Sequence, residues 1–156
     1  VLSFLYLLIS GQKNGGAASE GSGSDRTDKN VFELYYLENR GAAFGIFQGK
    51  RVIFLIITII ILVFLAYCFW RIPYTRKYAT LRGVLVLIAA GAVGNFIDRM
   101  YNGYVVDFFY FKVINFPIFN VADIYVTCSA IFLAVLLIFC YKEEDLNQLL
   151  KSLKGK

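Results

Sequence analysis

Val52–Trp70 reads VIFLIITIIILVFLAYCFW, and its reading decides the fold. The run carries no charge and matches the roughly 20 apolar residues that cross the hydrocarbon core of a bilayer. Two further candidates follow it, Leu81–Ile97 (LRGVLVLIAAGAVGNFI) and Val121–Tyr141 (VADIYVTCSAIFLAVLLIFCY). Each is apolar in its body and crowds its polar residues at one end. The whole chain agrees, with 58% hydrophobic and 17% aromatic residues and a mean hydropathy of +0.61. A soluble domain averages about 45–50% apolar, so a soluble protein with buried core helices is set aside. The expected class is a membrane protein, mainly α, built as a bundle of transmembrane helices.

Charge placement gives an expected orientation. The connection RIPYTRKYATLR carries Arg71, Arg76, Lys77 and Arg82 and no acid, and the tail adds Lys142, Lys151, Lys154 and Lys156. The positive-inside rule puts both in the cytoplasm. The segment between the last two spans, GNFIDRMYNGYVVDFFYFKVINFPIFNVAD (Gly94–Asp123), then faces the outer side with Asp98, Asp107 and Asp123. Membrane lipids are expected partners and nucleic acid is not, because juxtamembrane Lys and Arg beside anionic lipid account for the net charge of +5.

The chain has no histidine. That removes Ser-His-Asp and Cys-His catalysis and the usual His-containing zinc sites, so no metal is expected and carboxylates are the obvious groups for hydrolytic chemistry. Cys68, Cys128 and Cys140 lie inside spans, where a thiolate is poorly solvated, and read as small packing residues.

The chain divides as one membrane domain over 1–156. Residues 1–10 are a partial apolar helix, 11–30 a Gly/Ser-rich linker-like stretch, and 31–51 a small β element. Spans occupy 52–70, 81–98 and 120–141, an outer interfacial segment fills 99–119, and 142–156 form a cytoplasmic tail. Alternation over Val31–Leu37 puts Phe32, Leu34 and Tyr36 on one face and Glu33 on the other. Gly41 and Gly45 in ENRGAAFG suit a turn or a close backbone approach.

Helical spacing brings Asn95, Asp98 and Arg99 towards one helix end, and Asn120, Asp123 and Thr127 along one line of the last span. Ionisable groups at that depth are costly and usually functional. Asp98 reads first as a cap or as a partner of Arg99. Asp107 and Asp123 have only Lys112 nearby in sequence, and Lys112 can reach water. If the two carboxylates meet, they share a proton, as in a peptidase that activates water with one and protonates a carbonyl with the other. A proton or ion pathway competes with that reading at this point.

Three motifs in order, ENRGAAFG, GNFIDRMYNGYVVDF and FNVAD, resemble the signature boxes of lipoprotein signal peptidase (signal peptidase II) over about Val31–Tyr141. The resemblance implies an intramembrane aspartic endopeptidase of the bacterial inner membrane with no cofactor. It implies four transmembrane helices, a small extracytoplasmic β-cradle and an interfacial helix over the active site. Such enzymes remove signal peptides from prolipoproteins beside a diacylglyceryl-modified cysteine, and the cyclic depsipeptide globomycin occupies the same cleft. Carried over by motif, Asp107 and Asp123 are the catalytic pair, and Asn39, Asn95, Asp98, Arg99 and Asn120 line and orient the site. A monomer is expected, with the site near the outer face and the C-terminus cytoplasmic. The family's first helix ends in Asp-Gln followed by Lys; here LLISGQKNGG has Gly11 where Asp is expected, before Gln12 and Lys13. That departure keeps open a catalytically impaired homologue that only binds signal peptides. A transport protein is the remaining alternative.

Overall fold

The computed structural model describes residues 31–41 and 51–155. The expectations for 1–10 and 11–30, the Gly11–Gln12–Lys13 departure, and most of ENRGAAFG beyond Gly41 lie outside the described residues. Within them the chain runs β1 (Phe32–Asn39), α1 (Arg51–Arg71), a 3-10 turn (Arg76–Tyr78), α2 (Ala79–Tyr101), β2 (Val105–Phe111), a second 3-10 turn (Lys112–Ile114), α3 (Val121–Val135), a π-type turn (Leu136–Cys140) and α4 (Glu143–Lys154).

Three helical stretches are long and apolar enough to cross a membrane: Arg51–Arg71, Arg76–Tyr101 and Val121–Cys140. They overlap the three expected spans, and the second runs five residues before and three residues past its expected ends of 81 and 98. The isoleucines and valines of α1, among them Ile56, Ile60 and Val63, are exposed, which suits a helix solvated by lipid rather than water. Trp70 and Tyr74 stand out at one end of the bundle and Tyr101 at the other, the places where amphipathic rings favour the headgroup level.

α2 and α3 pack more extensively than any other pair of elements. The small residues of LIAAGAVG allow it. A Cβ at Gly91 would lie 2.5 Å from the backbone oxygen of Ala122, and one at Gly94 would lie 3.3 Å from the Ala122 methyl. In lipid no hydrophobic effect draws helices together, so close backbone approach supplies the contact.

The segment 99–119, expected as an outer interfacial segment, contains the second strand. α2 stops at Asn102 and Gly103, where the N–H of Gly103 reaches the Arg99 carbonyl at 3.2 Å and Gly103 takes φ +83°. The chain then enters β2, which pairs antiparallel with β1. Asn115 turns it back with φ 47°, its side chain accepting the Tyr110 hydroxyl at 2.8 Å. Phe119 then lies along β2, its N–H donating to the Phe109 carbonyl at 3.1 Å and its own carbonyl accepting from Phe108 and Phe109. An interfacial helix is not among the described elements of this segment.

The pairing of β1 contains a bulge. Phe32 and Leu34 face Phe111 and Phe109, but Leu37 and Asn39 face Asp107 and Val105, so β1 spends one extra residue between Leu34 and Leu37. Side chains alternate along a strand, and one extra residue exchanges the faces beyond it. The expected alternation therefore holds for Phe32 and Leu34 and fails at Tyr36, whose hydroxyl donates to Glu38 on the other face.

Within the stretch expected as a tail, Glu143–Lys154 form a helix. α4 is amphipathic, with Glu143, Glu144 and Asp145 in its first turn and Lys151 and Lys154 in its last, as the helix dipole favours. Leu149 is buried among Leu65, Cys68, Ile72, Tyr78, Leu81 and Leu85 at the end of the bundle away from the carboxylates. Lys77 pairs with Asp145, and Arg71 donates to the Ser152 carbonyl at 2.8 Å. Of the cysteines, Cys68 is buried as expected, while Cys128 and Cys140 are exposed on the helix surface.

Candidate active site

Asp107 sits in β2 and is 1% exposed; Asn120, the residue before α3, is 2% exposed. The Phe119 bridge sets the two side by side. The Nδ2 of Asn120 donates to Asp107 Oδ1 at 2.7 Å, and the Nδ2 of Asn39 donates to Asp107 Oδ2 at 2.8 Å. Asn39 reaches that carboxylate because the bulge has turned it onto the Asp107 face. It is steadied in turn by the Gly41 N–H, which donates to its Oδ1 at 3.0 Å.

Asp123 is the N3 residue of α3. Its Oδ2 accepts the backbone N–H of Asn120 at 3.1 Å, and its own N–H donates to Asn120 Oδ1 at 3.1 Å, a reciprocal capping box. The helix N-terminus favours its negative charge. Its Oδ1 accepts the Nδ2 of Asn95 at 2.7 Å. Asn95 reaches it because Gly91, one turn earlier on α2, lets the two helices meet.

These bonds fix the direction of every amide. Asn120 Oδ1 must accept the Asp123 N–H, so its NH₂ faces Asp107 and also Asn95 Oδ1 at 3.1 Å. Asn95 must then turn its own NH₂ to Asp123. Two backbone N–H groups, of Asp123 on Asn120 and of Gly41 on Asn39, thus orient a chain of five side chains, Asn39–Asp107–Asn120–Asn95–Asp123. Among the described residues no buried side-chain nitrogen or oxygen lacks a partner.

Arg99 closes the site from α2. Its guanidinium donates to the carbonyls of Asn95 and Gly41, each at 3.3 Å, and lies over the Phe54 ring at 5.1 Å. It stands in the field of three carboxylates, of which Asp123 acts on it most strongly, then Asp107, then Asp98. Asp98 lies half-buried in the last turn of α2, and its backbone carbonyl accepts the Asn102 N–H at 2.8 Å.

Burial pushes the Asp107 carboxyl above the ordinary range; the Asn39 and Asn120 amides pull the other way, and the Asp123 charge adds to the rise. One carboxyl is thus enclosed and disposed to hold a proton, and its partner is half-buried at a helix N-terminus. Such a pair, joined through amides, can activate a water and polarise a carbonyl without a histidine.

Every expected site residue among the described ones lies at this end of the bundle, with Asn39, Asn95, Asp107, Asn120 and Asp123 in one network. Thr127 is exposed and outside it. Gly41 and Phe119 were not foreseen as site residues. Gly41 carried the signal of a turn; nothing in the local sequence marks Phe119 as the residue that locks Asn120 onto Asp107.

Fold and site together define a multi-pass helical membrane protein with a carboxylate pair, one buried and one half-buried, at one end of its bundle. A family model described as signal peptidase (SPase) II matches residues 9–139. The chain is 45% identical over 118 residues to a lipoprotein signal peptidase of Caldanaerobacter subterraneus subsp. tengcongensis, covering 75% of this chain and 78% of that one. It is 44% identical over 115 residues to the lipoprotein signal peptidase of Streptococcus thermophilus, covering 74% and 72%. Two solved structures, each described as a bacterial membrane enzyme determined by the in meso method, are similar in fold. One, at 2.3 Å, has TM-score 0.67 and 32% identity over 91% of this chain and 84% of that chain. The other, at 1.9 Å, has TM-score 0.65 and 34% identity over 88% and 85%. The chain belongs to the signal peptidase II family, a family of membrane proteases.

Proposed function

We propose that this chain is an intramembrane aspartic endopeptidase that removes the signal peptide from diacylglyceryl-modified prolipoproteins, with Asp107 and Asp123 as its catalytic pair. The observation that carries the reading is Asn120, whose one side chain and backbone N–H bond both carboxylates. Asp123, at the helix N-terminus, takes a proton from the attacking water. Asp107, enclosed and proton-bearing, donates to the carbonyl oxygen of the scissile bond; the pair then returns a proton to the departing amine. Asn39 and Asn95 hold the two carboxyls in register, and Arg99 ties α2 to the turn at Gly41. Asp98 shapes the helix end beside them.

The chain works as one membrane domain and as a monomer in the bacterial inner membrane. Its site lies near the outer face and its C-terminus in the cytoplasm, a reading supported by the basic 71–82 connection at the opposite end. A signal peptide's cleavage site emerges at that outer face. The lipid on the substrate cysteine adds about 0.8 kcal/mol per buried CH₂, binding energy remote from the scissile bond that positions it. A relay across the membrane is not favoured, since all three carboxylates lie at one end.

The test is cleavage of a diacylglyceryl-modified prolipoprotein by the full chain in liposomes, with Asp107→Asn and Asp123→Asn beside it. The parent cuts, and each variant loses at least about 10³-fold in rate. A variant that folds and still cuts at the parental rate removes its aspartate from the mechanism. A folded parent that binds the precursor without cutting it makes the chain a binding homologue.

A further inference from the structure

At the end of the bundle opposite the carboxylates, a cavity of about 400 Å³ opens between the last turn of α1 and the first turns of α2. Phe69 and Val86 form its apolar wall, and Tyr74, Thr75, Arg76 and Arg82 its polar rim. Arg82 is built into it. Its guanidinium lies 3.9 Å from the centroid of the Phe69 ring and 4.9 Å from that of Tyr74, and its Nη1 donates to the carbonyls of Phe69 at 2.9 Å and Ile72 at 3.1 Å. Those bonds hold the planar group still and use Nη1 alone; a guanidinium has three further N–H donors. Arg76 is exposed on the same rim.

The charge at this mouth is of one sign. The 71–82 connection contains no acid, and the nearby Lys77 is committed to Asp145 on α4. Among the described residues no acidic side chain lines the cavity. Two arginines at headgroup depth, above an apolar wall that continues down two membrane helices, match a phosphodiester with an acyl chain attached. A signal peptide is a poor match, because its basic amino-terminal region would meet like charge here.

We propose that this cavity is a binding site for one anionic glycerophospholipid of the leaflet opposite the active site. Its phosphodiester lies between Arg76 and Arg82, and its first acyl carbons run along Phe69 and Val86. Gly83 faces the cavity with open space around the position of a Cβ, so a large side chain there fills the site without striking the protein.

The full chain is reconstituted in nanodiscs of equal parts phosphatidylglycerol and phosphatidylcholine, re-extracted, and weighed by native mass spectrometry. The parent retains phosphatidylglycerol over phosphatidylcholine, and Arg76→Ala and Gly83→Phe each lower that retention by about tenfold. Arg76 is exposed, so its variant folds and decides the matter even where Gly83→Phe does not. Equal retention of the two lipids by the parent, or parental retention by Arg76→Ala, overturns the proposal. A third arm adds inorganic phosphate to the chain in detergent. Displacement of the bound lipid by phosphate alone would make the site one for a free anion and overturn the lipid assignment; lipid that stays bound supports it.

Discussion

One methyl group added at Gly91 tests whether the spacing of α2 and α3 governs the chemistry. A Cβ there would lie 2.5 Å from the Ala122 carbonyl oxygen, 2.8 Å from Val126 Cγ2 and 3.1 Å from Tyr125 Cβ. A side-chain tip can turn away from such a contact, but a helix carbonyl moves only with its helix. Ordinary contact begins at 3.4 Å, so the backbones must part by about 0.9 Å at this crossing. Asn95 is one turn farther along α2 and Asp123 directly follows Ala122, so the separation falls on their 2.7 Å bond. Most of it transmitted would open that bond past the usual limit of about 3.2 Å. Overpacking of this kind costs about 1–3 kcal/mol in stability, and a misplacement near 1 Å costs on the order of 10²-fold in rate. Single-turnover cleavage and thermal unfolding of Gly91→Ala in one detergent read both. Gly94→Ala is the graded comparison, since its Cβ meets only the Ala122 methyl, at 3.3 Å; it should slow cleavage by less than about threefold. Parental rate and Tm in Gly91→Ala, or a larger loss in Gly94→Ala, would refute the reasoning.

Further expectations concern the amide network and the opposite end of the bundle. Asn120→Ala removes an N-cap worth about 1 kcal/mol and a donor to a buried carboxylate worth about 1–3 kcal/mol. Its unfolding midpoint in denaturant should fall accordingly and its activity should be lost; unchanged stability would show that the cap is dispensable. Asn39→Ala removes a bond that lowers the Asp107 pKa, so the high-pH limb of the rate profile should move further up; a downward move would contradict the proton-bearing role. Because the folded Asp107 titrates above its unfolded value, its contribution to stability is complete at low pH and is lost as pH rises through that raised value. Thermal scans across that range should show the decline, and a rise instead would point to an ionised Asp107. Leu149→Ala, in the core under α4, should cost about 2–5 kcal/mol while leaving the rate per folded molecule unchanged.

Much of this was open to reading in one dimension because membrane spans are. An uncharged run of sufficient length permits one structure, and α1, α2 and α3 followed from it. The pairing of Asp107 with Asp123 could be suspected from their isolation among apolar residues, and the motif resemblance named it. What sequence spacing could not supply was the agent that joins them. Asn120 meets Asp107 through the Phe119 backbone bridge, and a backbone bond leaves no residue-type signature. The β1 bulge was hidden for a related reason: the sequence FELYYLEN looks the same whether or not one residue is skipped in the pairing. α4, by contrast, was there to be found. Leu146, Leu149, Leu150 and Leu153 follow helical spacing between acids and lysines, and only the habit of reading a basic tail as a tail obscured them.

The extra residue in β1 makes the count of residues, rather than their identity, a condition of catalysis. Between Leu34 and Leu37 the strand behaves like a message with a frame. A substitution at Tyr35 or Tyr36 alters one side chain, whereas deletion of Glu38, beyond the bulge, would put Asn39 opposite Val106 and on the wrong face of the sheet. Asp107 would lose its donor although Asn39 itself remained in the chain. A Glu38 deletion that keeps its helical circular dichroism but loses cleavage, while Glu38→Thr keeps both, would show this, and undiminished cleavage in the deletion would refute it. Residue type at Tyr35 and Tyr36 is then open to change, while Asn39 and the number of residues between it and the bulge are not.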